Sequence, residues 1–292
     1  MAVTMDFTGI FGLIMGFGLI VFGIVFNSDT GAMDFGTLIN FFDVPSIAIT
    51  IGGTMAATIC SFPMGVFKDV PKHMKIAFGK NKYNPQQYIK TLVEYAQDAR
   101  RKGILSLEDK LNEQEDVFMK KSIMLVVDAI EPEKTKTILE NELDCVESRH
   151  MQGIKIYEKA SGFGPAMGMI GTLIGLVNML ADLDIEAEDG ASKLTSGMAV
   201  ALITTFYGSV LANVVLTPLA NKLRFRHSQE MLCKEIIMEG VIAIQAGDNP
   251  KHIEERLNSF LEPSMRLISS GPSNNDDDLT PAKGKKGKKK NK

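Results

Sequence analysis

The chain has 292 residues and a formal net charge of −3, which gives no case for nucleic-acid binding. Hydrophobic residues make up 45% of it, an average that hides their concentration into uncharged blocks. Its three cysteines are odd in number and far apart, so they predict neither a disulfide framework nor a zinc site.

Four apolar stretches are each about long enough to cross a hydrocarbon core of roughly 30 Å as a helix. None of them contains Asp, Glu, Lys, Arg or His. The N-terminus lacks the basic region and cleavage site of a secretory signal peptide, so we expect the first stretch to be a membrane span. In chain order, the predicted spans are Thr8–Phe26, Val44–Phe62, Phe163–Leu180 and Gly197–Ala220.

The charges between the spans predict the orientation of the chain. The link Asn27–Asp43 has no Lys or Arg, and Ala181–Ser196 has only Lys193 against five acids. The long segment Met64–Ala160 instead has 17 Lys and Arg residues against 16 acids. Because basic residues mark the cytoplasmic side, we expect both links outside, and the middle segment and both termini in the cytoplasm. The predicted fold is an all-α integral membrane protein with four transmembrane helices and a helical cytoplasmic domain.

The charged segments predict helices on the cytoplasmic side. Asn84 followed by Pro85 is an N-cap signal, and Gly103 supplies the stop of that helix. Pro132 breaks the helical pattern further along the chain, and a turn is predicted over 247–250. The predicted cytoplasmic helices are 85–102, 106–130, 133–160, 221–247 and 251–261.

Composition divides the chain into five segments. The last of them is rich in Gly, Ser and Lys and is predicted to be disordered. Its lysines could contact anionic membrane lipid or stay solvated, and we assign them no function. The segments are 1–62 with the first two spans, 63–160 in the cytoplasm, 161–220 with the second pair of spans, 221–268 with the C-terminal cytoplasmic helices, and the tail 269–292.

The sequence predicts neither an enzyme nor a bound cofactor. The glycine-rich motif GMIGTLIG lies inside a hydrophobic stretch with no lysine after it, so it does not read as a phosphate loop. The histidines form no metal-binding motif, and we expect isolated surface residues. They are His73, His150, His227 and His252.

The third and fourth spans each carry small residues on one face. A glycine face in lipid lets another helix approach closely, because packing drives helix association there. Each span also has one proline, Pro165 near the start of one and Pro218 near the end of the other, so we expect both near the same membrane surface. The small residues are Gly164, Gly168, Gly171 and Gly175 in the third span and Thr205, Gly208 and Ala212 in the fourth.

The spans lack the ionisable side chain that a proton or ion path usually needs at depth. Either the chain does not conduct, or a partner helix brings a carboxylate and this chain provides the surrounding wall. Thr172, Thr204 and Thr205 supply hydroxyls that could face such a group. The alternative is that they bond back to carbonyls of their own helices.

One cytoplasmic motif, ARRKGILSLE, places opposite charges on either side of a turn. Arg100 precedes Gly103 and Glu108 follows it. These side chains could be ordinary charges at helix ends, or they could face a charged partner surface.

Several motifs together resemble the MotA/TolQ/ExbB family, and in particular its flagellar stator subunits. They are ARRKGILSLE, GPAMGMIGTLIGLVNML, ALITTFYGSVLAN and IIMEGVIAIQAGDNPKHIE. The similarity extends from Thr8 to about Leu267, whereas the TolQ and ExbB branch has three spans and lacks the ARRKG segment.

The resemblance implies a function and its partners. It implies a ring, pentameric in the family, around MotB-like single-span proteins that supply a membrane aspartate, and torque on the rotor protein FliG driven by proton or sodium flow. An energiser of an outer-membrane process, as in the ExbB and TolQ branch, is the alternative. The resemblance assigns rotor contact to Arg100 and Glu108, conformational roles to Pro165 and Pro218, and the ion path to Thr172, Thr205 and the neighbouring Thr204. It also implies the bacterial inner membrane as the location.

Overall fold

The computed structural model of the chain describes residues 7–27, 31–80, 82–111, 114–181 and 190–266. Within them, the one β-type pairing is an isolated bridge between Phe26 and Met33, and helices account for most of the rest. The α-helices of five or more residues are α1 (Phe7–Val25), α2 (Val44–Ser61, with the π-helical turn Ala48–Gly52), α3 (Val70–Phe78), α4 (Pro85–Lys102), α5 (Leu107–Leu111), α6 (Val117–Val127), α7 (Pro132–Ala181), α8 (190–245) and α9 (Pro250–Asn258). Helix α8 consists of Gly190–Val210, the π-helical turn Leu211–Leu216 and Thr217–Gln245.

Four helices are long and apolar enough to cross a membrane, as predicted: α1, α2, α7 and α8. Helices α7 and α8 extend much further than the spans predicted within them. We expected a cytoplasmic helix to end at Ala160 and a separate span to follow, but α7 is one helix of 50 residues. Ser161 and Gly162 do not terminate it, and neither does Pro165, although proline removes a backbone donor. The apolar and charged parts of α7 therefore belong to one continuous helix, and those of α8 belong to another that includes a π-helical turn.

The predicted caps of α4 are confirmed. The Asn84 side chain accepts a hydrogen bond from the Gln86 N–H at 3.2 Å, and Gly103 ends the helix with a φ of 86°. A left-handed residue of this kind favours glycine.

The prediction of a single cytoplasmic helix over 106–130 was wrong. This segment is divided into α5 and α6, because Asp116 acts as an N-cap at the start of α6. Its carboxylate accepts hydrogen bonds from the backbone of Phe118 and Met119 at 2.9 and 3.0 Å. It also accepts one from the hydroxyl of Tyr88 at 2.6 Å, which attaches this break to α4.

Two hydrophobic clusters hold the cytoplasmic part together. The larger is formed by α4, α5, α6, α7, the last turns of α8, and α9, with Leu92, Ile123 and Ile236 fully buried at its centre. The smaller lies where α3, α7 and α8 meet nearer the apolar spans. It consists of Ala77, Ile154, Tyr157, Leu219, Ala220 and Leu223.

The predicted segment boundaries at 160/161 and 220/221 fall inside continuous helices. They therefore coincide with changes of composition along α7 and α8. The tail 269–292 and most of the acidic link 181–196 lie outside the described residues.

Candidate functional site

The glycine face of α7 packs against α8 within the same chain. Gly164, Gly168, Gly171 and Gly175 are all buried. A Cβ atom at Gly168 would lie 3.0 Å from the carbonyl oxygen of Thr204, and one at Gly164 would lie 3.0 Å from that of Gly208. The predicted close approach of a second helix is thus confirmed, and that helix is α8.

This close packing brings two threonine hydroxyls together. The Oγ1 atoms of Thr172 on α7 and Thr205 on α8 lie 2.6 Å apart. Thr205 is exposed and Thr172 is half-buried, so the pair opens onto the outer face of the two helices. Each hydroxyl also reaches the carbonyl of Ala201, at 3.0 Å from Thr172 and 3.2 Å from Thr205.

The hydrogen-bond balance of the pair decides what it offers to a ligand. Each hydroxyl has one proton. One proton is used between Thr172 and Thr205, and the other can go to the carbonyl of Ala201 or Gly168. Oxygen lone pairs then remain free on the exposed side. The hydroxyls therefore bond to backbone carbonyls, as one of the two alternatives predicted, and this bonding still leaves acceptor lone pairs on the exposed side.

Thr204 has a different environment from its neighbour. It is fully buried, and its hydroxyl donates to backbone carbonyls of its own helix, at 3.0 Å from Val200 and 3.1 Å from Ala201. Its side chain also fills the space beside Gly171. The geometry favours a packing role for Thr204, behind the exposed hydroxyl pair.

The two prolines lie at different levels along the helix pair. Pro165 is inside α7, and its Cα is 3.3 Å from a Cβ placed at Gly208. Pro218 is ten residues beyond Gly208 on α8, or about 15 Å at 1.5 Å per residue. Pro218 thus lies beyond the level of Pro165 along α8, and the position of both prolines near one membrane surface stays a prediction.

Pro218 directly follows a π-helical turn. The Thr217 N–H bonds to the carbonyl of Ala212, five residues back. Proline has no N–H, and its ring would clash with the carbonyl four residues earlier in a regular helix. A widened turn before it relieves that clash, and such turns are frequent at functional sites.

A polar seam on α2 was missed by the sequence reasoning. Ser46, Thr50, Thr54 and Thr58 recur every four residues and are all buried. Thr54 and Thr58 donate to the carbonyls four residues back, at 2.6 and 2.7 Å, whereas Thr50 reaches the carbonyl of Thr204 at 3.4 Å. The four-residue spacing was the signal that could have found this seam.

Arg100 and Glu108 are both exposed, and Arg100 lies near the C-terminal end of α8. Neither has an ion pair within the described residues, whereas Lys102 and Lys110 beside them both pair with Asp98. Arg100 also borders a cavity of about 440 Å³ between the ends of α4 and α8. Arg101 and Asp109 are also exposed and have no ion pair within the described residues.

The prediction of isolated surface histidines was wrong for three of the four. His150 on α7 and His227 on α8 contact each other, with Nδ1 atoms 3.2 Å apart. The Nδ1 of His73 lies 3.4 Å from the hydroxyl of Tyr157, and burial lowers the pKa of His73 and raises that of Tyr157 to about 12. His252 is exposed as predicted. Helix packing over long sequence separations creates these contacts, and no local spacing reveals them.

These features define a class, a polytopic helical membrane protein. Two of its long helices continue from the spans into a cytoplasmic domain, and they present an exposed hydroxyl pair within the spans. The MotA/TolQ/ExbB proton channel family profile matches residues 110–236. Motility protein A of Borreliella burgdorferi is 40% identical over 90% of this chain and 96% of its own length. Chemotaxis protein PomA of Vibrio alginolyticus is 37% identical over 90% of this chain and 98% of its own.

Solved structures agree with these relatives. A chain of the flagellar MotAB stator complex from Bacillus subtilis matches with a TM-score of 0.79 and 30% identity, over 91% of this chain and all of that one. A chain of C. jejuni MotAB matches with a TM-score of 0.80 at 24% identity and supports the fold. The chain therefore belongs to the MotA/TolQ/ExbB proton channel family, and it is a multi-pass protein of a bacterial membrane.

Proposed function

We propose that this chain is the multi-span subunit of a flagellar motor stator, in which cation flow through a complex with a MotB-like single-span protein generates torque on the rotor. The observation that carries the proposal is the exposed Thr172–Thr205 hydroxyl pair in a helix pair whose apolar stretches contain no Asp, Glu, Lys, Arg or His. Relatives named as motility protein A and solved MotAB stator complexes support it.

The cation path in this proposal runs along the outer face of α7 and α8. A titratable group is needed at depth to carry a proton or bind sodium, and the partner's membrane aspartate supplies it. The lone pairs of the hydroxyl pair would accept a hydrogen bond from that acid when protonated, or coordinate a sodium ion. The chain itself carries out no catalysis and keeps no cofactor, because the cation is cargo.

Torque in this proposal is transmitted at the cytoplasmic end. Arg100 and Glu108 would contact charged residues of FliG, since both are exposed and neither has an ion pair within the described residues, whereas Lys102 and Lys110 pair with Asp98. Helices α7 and α8 would transmit motion to them, because each continues from the apolar stretch into the cytoplasmic core without a break. We propose that five copies form the ring around the partner helices and that both termini are cytoplasmic.

An energiser of an outer-membrane process, as in the ExbB and TolQ branch, is disfavoured. The similarity to motility protein A of Borreliella burgdorferi and to chemotaxis protein PomA of Vibrio alginolyticus extends over 96% and 98% of those proteins. The four apolar helices also fit the stator branch better than one with three spans.

Complementation tests the proposal. A motile bacterium lacking its own stator genes assembles flagella that do not rotate. Expression of this chain with its genomic single-span partner should restore rotation, whereas this chain alone should not. If the pair is made and inserted but rotation is never restored, while an envelope transport defect of an ExbB or TolQ mutant is, the alternative would stand.

A further inference from the structure

The contact between His150 and His227 lies on the same two helices as the hydroxyl pair. His150 precedes Thr172 by 22 residues on α7, and His227 follows Thr205 by 22 residues on α8. At 1.5 Å per residue this separation is about 33 Å. Both pairs therefore join α7 to α8, one in the apolar part and one in the cytoplasmic part.

The histidine contact holds only while at least one ring is neutral. Two Nδ1 atoms 3.2 Å apart can share one proton as a hydrogen bond, with one ring donating and the other accepting. A second proton at this position would place two like charges in contact. No third His, Cys or carboxylate group among the described residues completes a metal site there, so we interpret the pair through protons.

The surroundings disfavour a charged pair. Arg149 on α7 and Lys234 on α8 add positive charge, and the neighbouring Arg226 is also a cation. Glu230 on α8 is the acid that faces His150, but it is engaged by Lys234 at 3.1 Å and by the hydroxyl of Tyr83.

Helix α3 is the third element packed nearby. It places His73, itself beside Asp69 and Lys72, against Gly153 one turn further along α7. Burial and the neighbouring cations together lower the pKa of His150, and Glu230 opposes this only in part.

We propose that the His150–His227 pair is a cytoplasmic pH sensor, whose double protonation separates α7 from α8 and reduces cation flow past the hydroxyl pair. The link to cation flow rests on the proposed function, whereas the opening of the contact does not. The physical route is the continuity of both helices between the two pairs.

The direction of the pH effect follows from linkage. A histidine whose pKa is lowered on folding stabilises the folded state fully above its ordinary value of about 6.5, and that stability is lost as the pH falls below it. The sensor thus closes the contact in a neutral cytoplasm and opens it on acidification.

Thermal unfolding of the full chain in its complex with the partner tests the sensor. We would measure the wild type, His150→Gln, His227→Gln and the double variant at about pH 8 and about pH 5.5. At the higher pH each single variant should unfold about 2–4 °C lower, as expected for one lost hydrogen bond. At the lower pH each single variant should unfold at a higher temperature than the wild type. The coupling free energy between the two positions therefore changes sign with pH.

The exposed His252→Gln variant is the matched control and should leave both midpoints unchanged. If each single variant unfolds below the wild type by the same amount at both pH values, the contact is purely structural. That result would overturn the proposal.

Cation flux in vesicles provides the second measurement, at constant driving force and with only the internal pH changed. Wild-type flux should fall several-fold on acidification, whereas flux through His150→Gln should stay nearly constant. If the wild-type flux depends on pH as little as the flux through His150→Gln, the proposed sensor would also be contradicted. A complex that passes no cation at any pH would instead count against the proposed function, because the unfolding measurement is independent of it.

Discussion

Gly171 lies so close to Thr204 that a Cβ atom at this glycine would be 2.5 Å from both Cβ and Cγ2 of the threonine. Real Cβ atoms essentially never approach so closely, so α7 and α8 can hold their spacing only if position 171 has no side chain. That spacing also sets the 2.6 Å contact between Thr172 and Thr205. The hydroxyl pair is therefore a consequence of glycine packing one residue away.

Gly171→Ala should force the two helices apart. Overpacking of this kind costs about 1–3 kcal/mol, and we expect a lower unfolding midpoint together with loss of cation flux. Gly12→Ala on α1 is the matched control, since no atom lies within 4 Å of a Cβ there. Unchanged flux in Gly171→Ala would show that the spacing of α7 and α8 does not determine the ion path.

Two substitutions separate the effect of the Thr205 hydroxyl group from the effect of its side-chain volume. Thr205→Val keeps the volume but removes the hydroxyl, whereas Thr205→Ser keeps the hydroxyl. If the lone pairs face the cation or the protonated acid, valine should reduce flux about tenfold, as expected for one lost hydrogen bond of about 1.4 kcal/mol. Serine should retain most of the flux. Equal flux through both variants would remove Thr205 from the ion path.

Charge reversal separates the rotor contact from conduction. Arg100→Glu and Glu108→Lys should abolish or strongly reduce swimming while cation flux stays normal, because both side chains are exposed and lie outside the apolar spans. Arg101→Glu and Asp109→Lys are matched controls, since these neighbours are equally exposed. Controls that impair swimming as much as the test variants would indicate a general charge effect rather than contact by two residues.

Pro218 should matter through the shape of α8. Pro218→Ala supplies an N–H that can bond to the carbonyl of Val214 and removes the reason for the π-helical turn. We expect the complex still to assemble but swimming to fall, because the part of α8 below the turn would change its rotational position. Pro85→Ala, at the first turn of α4 where proline is tolerated, is the control and should swim normally. Normal swimming of Pro218→Ala would argue against a mechanical role for the turn.

Local signals in the sequence predicted much of this fold. The uncharged stretches, the Asn84 cap and the stop at Gly103 are written in consecutive residues, and all appear as expected. The four glycines also predicted their face correctly, because helical periodicity alone places them there.

Other features depend on helix packing and could not be predicted locally. His150 and His227 are 77 positions apart in the sequence, and only the pairing of α7 with α8 brings them together. The burial of Thr204 beside the exposed Thr205 likewise follows from which side of α8 meets the glycine face. The continuity of α7 was missed because a change of composition at Ala160 was interpreted as the end of a helix.

The apolar spans of this chain supply no acidic or basic side chain to the ion path, and we propose that the partner supplies the acid. The most direct measurement is cation flux into vesicles containing this chain alone, the chain with its single-span partner, and the chain with a partner whose membrane aspartate is replaced by asparagine. We predict flux only in the second preparation. Flux through the chain alone, or through the complex with the asparagine partner, would contradict the claim.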